Sequence, residues 1–145
     1  MRFIPAISLC LGLGLAPVIS QMAAAETVSP PTGETMNAAD FDAYVEGKTL
    51  TWSQYGSVFG IEEYLPGRKV RWKTSPDECQ YGSWYERAGM ICFVYEYSSG
   101  EHCWTFWNEN GQLRALSEGA LPGSELTEVD QTPEPLACPA PDVGV

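Results

Sequence analysis

The sequence predicts a small, mainly β domain: an antiparallel meander that curls into a barrel, with one short N-terminal helix and disulfide staples. Three observations carry this expectation. Apolar and polar residues alternate with a period of two over most of 49–118. Turn dipeptides punctuate the same stretch at short intervals: Pro66-Gly67, Ala88-Gly89, Ser99-Gly100 and Asn110-Gly111. Three of the five cysteines, with many of the aromatic residues, crowd between Cys79 and Trp107, a pattern of adjacent aromatic strands held by disulfides.

Residues 1–25 read as a signal peptide. Arg2 is the positive start, Phe3 to Ile19 is an apolar run broken by Gly12, Gly14 and Pro17, and Ala23-Ala24-Ala25 is a cleavage site that leaves Glu26 first. Cys10 follows Leu9, where a lipidated cysteine needs a small residue before it. Residues 26–36 form a flexible leader containing Pro30, Pro31 and Gly33. A helix is expected over 38–46: Asn37 caps it, Asp40 complements its dipole, and Gly47 stops it. Phe41, Tyr44 and Val45 make its apolar stripe, at i, i+3 and i+4.

Strands are expected at 49–55, 58–65, 68–74, 81–87, 90–97, 102–108 and 112–118. A tight hairpin at Pro66-Gly67 sets Ile61 against Trp72, Glu62 against Arg71 and Tyr64 against Lys69. Ile61, Val70 and Trp72 then face the core, and Lys69, Arg71 and Lys73 share the opposite face. This register turns Glu63 inward, and a local bulge that returns it to the outside is the expected remedy. Further along, Trp84, Phe93 and Trp104 or Phe106 meet on one face, with Cys92, Val94, Cys103, Thr105 and Trp107 on the other. Short turns between successive strands make an antiparallel meander, and six to seven such strands curl into a barrel or half-barrel. The β-domain is thus placed at 37–118, and 119–145 is read as an acidic, proline-rich extended tail pinned by Cys138.

Cleavage leaves Cys79, Cys92, Cys103 and Cys138, an even set that implies two disulfides with three possible pairings. The favoured pairing is Cys79–Cys103 with Cys92–Cys138. With a turn at Ser99-Gly100, Cys92 and Cys103 fall about four positions out of register, roughly 13 Å along a strand. None of the spacings is C-x-x-C, so neither a zinc site nor a redox motif is indicated.

Composition excludes several functions. Loss of Arg2 leaves seven of the eight basic residues against nineteen acidic ones, a net charge of −12. Such a chain repels nucleic acid and anionic membrane surfaces. It favours a cationic partner instead. Catalytic signals are weak. His102 is the only histidine and borders a turn, with no G-x-S-x-G elbow in the chain. Glu62, Glu63 and Glu96 are the candidates for paired carboxylate chemistry, but Glu62 reads better as the cross-strand partner of Arg71. No catalytic, metal or cofactor site is assigned. The five tryptophans and seven tyrosines exceed the needs of a minimal core; most are expected inside the barrel. Tyr85 and Trp107 fall on the opposite face and are the candidate contact residues. Lys69, Arg71 and Lys73 are a second candidate, an anion-binding stripe, against the simpler reading of a charged edge strand.

The segments G-K-T-L-x-W, G-I-E-E-Y-L-P-G-R-x-V-x-W, C-x-Y-G-x-W-Y, I-C-F-x-Y-E and C-W-x-F, spread over 47–116, resemble a family of small exported bacterial proteins of unknown function with lipocalin- or avidin-like β-meanders. The resemblance implies the fold, through Gly82, Trp84, Cys92 and Cys103, and transfers no functional residue. A likeness to periplasmic lysozyme inhibitors is architectural only, because their inhibitory loop signature is missing.

The leading expectation is a monomeric, non-catalytic module, periplasmic or secreted, that binds a partner through exposed aromatics and negative charge, for example as an inhibitor of a cationic protein. The alternative is a lipocalin-like carrier of a small apolar ligand, which requires that Trp72, Trp84, Phe93 and Trp104 leave the interior hollow. A small hydrolase is the least favoured reading.

Overall fold

The computed structural model describes residues 29–139. The signal peptide read at 1–25, the first leader residues and the end of the tail lie outside them. The chain forms one helix, α1 (Ala38–Val45), and eight strands: β1 (Thr49–Gln54), β2 (Ser57–Leu65), β3 (Lys69–Ser75), β4 (Glu78–Arg87), β5 (Met90–Tyr95), β6 (His102–Glu109), β7 (Gln112–Ser117) and β8 (Leu126–Thr132). Each strand pairs antiparallel with the next, and β8 returns to β1, closing an eight-stranded barrel. Closure removes both free edges of the sheet.

The helix forms where its caps dictate. Asn37 accepts hydrogen bonds from the N–H groups of Ala39 and Asp40, both at 2.9 Å, and Gly47 follows the last turn at φ +78°. Phe41 and Val45 are fully buried. Phe41 enters the barrel and packs against Phe106 at 4.5 Å, Trp84 at 5.1 Å and Tyr64 at 5.7 Å between ring centroids. The helix therefore plugs one end of the barrel.

Three hairpins close through two-residue loops with positive φ at both positions: Tyr55-Gly56, Ala88-Gly89 and Asn110-Gly111. That is the turn geometry whose twist matches a right-handed strand pair. Two of these were legible as turn dipeptides; Tyr55-Gly56 was not, because tyrosine seldom adopts positive φ.

Three expectations are corrected. The β2–β3 loop has three residues, Pro66-Gly67-Arg68, because Gly67 and Arg68 both take positive φ, +73° and +59°. Leu65 therefore pairs with Lys69, Tyr64 with Val70, Glu63 with Arg71, Glu62 with Trp72 and Ile61 with Lys73. A one-residue change of register exchanges the faces of a strand. Glu62 and Tyr64 now point inward, while Glu63 and Ile61 point out, with no bulge at that position.

The second correction concerns the cysteines. The β5–β6 connection is a wide loop over 96–101 rather than a tight turn at Ser99-Gly100, so Cys92 stands directly opposite Cys103. The disulfides are Cys92–Cys103 and Cys79–Cys138. Neither matches the favoured pairing.

The third is the extent of the domain. The segment read as tail supplies β8, and the β-domain runs to Thr132 instead of ending at 118. Beyond it, the chain crosses the outside of β2 and β3. Leu136 N–H donates to Glu63 at 3.0 Å, Lys73 Nζ donates to the Ala137 carbonyl at 2.9 Å, and Cys138 ties the segment to β4. The two disulfides place the folded chain in an oxidising, extracellular type of compartment. No helix among the described residues is long and apolar enough to cross a membrane.

Candidate ligand cavity

Strand direction sorts the loops. The β2–β3 and β6–β7 loops lie beside the helix: Arg68 approaches Asp42 at 3.5 Å, and the Tyr44 hydroxyl lies 2.8 Å from the Gly111 carbonyl. Arg68 also stacks on Trp84, 4.5 Å from the ring centroid. The β1–β2, β3–β4, β5–β6 and β7–β8 loops surround the other end, which is open. A cavity of about 330 Å³ occupies that half of the barrel. Its inner wall includes Trp52, Tyr64, Phe93 and Phe106; Trp72, Tyr95 and Trp104 surround its middle; Phe59, Tyr97, Ser98 and His102 stand toward the open end.

The rings line the space instead of filling it, because two glycines give up room to them. The Trp72 indole lies across Gly60, where a Cβ would overlap the ring. Tyr95 lies across Gly82, where a Cβ would meet the ring and the Val94 carbonyl. An aromatic laid over a glycine on the neighbouring strand stays against the wall. Trp84, the fourth residue expected inside, belongs to the helix-plugged end and packs on Phe41.

Glu62 sits on the cavity wall and is buried, with 4% of its surface exposed. Tyr95 donates its hydroxyl to one carboxylate oxygen at 2.6 Å, and Tyr64 donates to the other at 3.1 Å. Burial pushes the Glu62 carboxyl up to about 8, which the two phenol hydrogen bonds only partly offset. Burial and the Glu62 charge likewise push both phenols well above their ordinary range. Burial thus favours the protonated form of the Glu62 carboxyl, and no Lys or Arg stands among the cavity-lining residues described.

A second buried carboxylate closes the seam between β7 and β8, where the two strands share only two paired positions. Glu128 accepts from the Leu113 N–H at 2.9 Å and from the Tyr44 hydroxyl at 2.8 Å. Burial, then the bond to Glu128, raises the Tyr44 phenol. This carboxylate takes the place of missing strand hydrogen bonds and ties the helix to the seam.

The residues singled out in the sequence do not form one patch. Tyr85 is exposed on β4 and hydrogen-bonds Glu101. Trp107 is half-buried on β6, where Thr35 of the leader bridges to it. Lys69 is exposed. Arg71 is engaged by Glu63, with Nε 2.7 Å from the carboxylate, and Lys73 by the C-terminal segment. Of the basic stripe, Lys73 thus holds the C-terminal segment directly, and Arg71 pairs with the Glu63 that accepts from it. His102 meets Ser98 Oγ at 2.6 Å, but among the described residues no carboxylate hydrogen-bonds the imidazole, the group that orients a catalytic histidine. Cys92, Cys103 and Glu101 cluster within 4.8 Å, yet both sulfurs are spent in a disulfide.

Glu62, Tyr64 and Tyr95 were missed as a unit. A usable signal was present: Gly60, Glu62 and Tyr64 alternate on one face, and a large ring is a better inward anchor than the neighbouring Glu63. Comparison with protein families, curated proteins and solved structures finds no match to this chain.

Proposed function

We propose that this protein is an exported, periplasmic or secreted binding module that holds one small, mainly apolar molecule in the barrel, as a carrier or scavenger. The single observation that carries the reading is the 330 Å³ aromatic-lined cavity with one open end. Its size falls in the range of ~300–1,000 Å³ typical of small-molecule sites. Closure of the sheet, the Phe41 plug and the Cys92–Cys103 bridge support it further, because a stiff wall lowers the ordering cost of binding.

Native mass spectrometry of the protein purified at low salt tests the reading. An added mass of a few hundred daltons, lost when Trp104→Ala removes part of the wall, is the expected result. A bare protein whose tryptophan emission also ignores a panel of small aromatic and aliphatic probes would sink it.

One observation favours a second reading, an interaction module for a cationic protein. Tyr55, Val58, Tyr97 and Leu121 are exposed apolar side chains on or beside the loops of the open end. With the chain's negative charge they could seat a partner over the mouth. A protein-sized adduct that dissociates as salt rises would favour it.

A further inference from the structure

Of the groups inside the barrel, Glu62 is the least explained by folding alone. It is buried, it lines open space, and it has no cationic partner. The groups that face it come from several strands. Tyr64 lies on β2 itself, Tyr95 on β5 and His102 on β6 toward the mouth, and the Glu128 carboxylate of β8 acts on Tyr64 from behind. Trp52, Trp72 and Trp104 add three indoles from β1, β3 and β6. The phenols orient the carboxylate but bring no positive charge.

The structural carboxylates elsewhere have a cation or a backbone donor: Glu63 has Arg71 and the Leu136 N–H, and Glu128 has the Leu113 N–H, whereas Glu62 has only the two phenols among the described residues. Inside, the lining offers ring faces instead. Indole and phenol faces carry negative potential and attract cations, most strongly where water is excluded. An aromatic enclosure with one carboxylate in its wall therefore has the chemistry of a cation receptor.

We propose that the cavity selects an organic cation, an amine or quaternary ammonium on a small apolar body, with Glu62 as its counter-ion. This rests on the reading of the cavity as a ligand site and adds its ligand class. Binding exchanges one cation for another: the Glu62 O–H bond breaks, its proton leaves to solvent, and the carboxylate pairs with the ammonium. With the empty site's carboxyl near 8, affinity for a cation of fixed charge should rise about tenfold from pH 6 to pH 7 and level off above about pH 8 to 9.

The test is a titration with phenyltrimethylammonium and with tert-butylbenzene, its uncharged isostere, followed by tryptophan emission at constant ionic strength from pH 6 to 9. The wild type is compared with Glu62→Gln, whose fold is checked by circular dichroism. The expected result is cation binding that tightens about tenfold per pH unit between pH 6 and 7. In Glu62→Gln the cation should bind about tenfold more weakly at pH 8.5 without that slope, while the isostere binds both proteins alike. Isostere binding as tight as the cation's at pH 8.5, or a cation affinity that ignores pH or the substitution, overturns the cation proposal and leaves the cavity reading standing. Failure of both probes to bind overturns both.

Discussion

The hydroxyl of Tyr95, on β5, lies 2.6 Å from the carboxylate of Glu62, on β2, across the barrel. The contact joins strands that are not neighbours in the sheet. It holds a carboxyl group where burial raises its proton affinity, on the wall of the barrel cavity. Stability, pH response and the proposed binding all meet at this pair.

The first prediction concerns pH. Glu62 has a folded-state value of about 8, above the ordinary 4.5. Between these values the folded state holds a proton that the unfolded state has lost. Its contribution is fully present below pH 4.5 and is lost as pH rises through 8. The slope is about 1.4 kcal/mol per pH unit inside that window. Urea unfolding of the wild type and Glu62→Gln from pH 5 to 9 should show the substituted protein gaining relative stability as pH rises. A constant difference would refute the linkage.

The second concerns the plug. Phe41 is fully buried among Tyr64, Trp84, Phe93 and Phe106. Phe41→Ala should cost about 3–5 kcal/mol by lost burial and the cavity left behind. Equilibrium denaturation measures it, and a cost under 1 kcal/mol would mean the helix is not seated in the barrel.

The third separates the two adjacent glutamates. Arg71→Ala leaves Glu63 with the Leu136 N–H but without its guanidinium, and should cost about 1.5–3 kcal/mol. The same change should leave the pH slope assigned to Glu62 intact, because Arg71 lies on the outer face. A changed slope between pH 5 and 8 would contradict the facing of these residues.

The fourth concerns the staples. Cys79–Cys138 closes a separation of 59 residues and Cys92–Cys103 one of 11. Chain entropy assigns about 4 and about 3 kcal/mol respectively. Paired Cys→Ala variants should follow that order, and peptide mapping of the non-reduced protein should find these two bridges. Recovery of Cys79–Cys103 would refute the register of β5 and β6.

Local physics made much of this legible in the sequence. The Asn37 cap, the Phe41 stripe and the Gly47 stop specify α1 within eleven residues. Ala88-Gly89 and Asn110-Gly111 specify two hairpins, and from them follows the shared face of Trp84 and Phe93. Phe93 and Trp104 were readable as inward rings for the same reason, and Trp72 from the alternation along its own strand. Each inference needs only contacts near in sequence.

What only the tertiary structure decided depends on counting residues across loops and on pairing between distant segments. Positive φ at Gly67 and Arg68 lengthens one loop by a residue, and because side chains alternate with a period of two, that residue sends Glu62 inside and Glu63 out. The wide 96–101 loop sets Cys92 against Cys103. The stretch from Leu126 to Thr132 reads as polar tail in isolation and becomes a strand because β1 has an open edge that must be paired. The hollow arises last, from rings laid across Gly60 and Gly82 on neighbouring strands. The alternation of residues determined a barrel; the loop lengths and long-range pairings determined which carboxylate it holds inside.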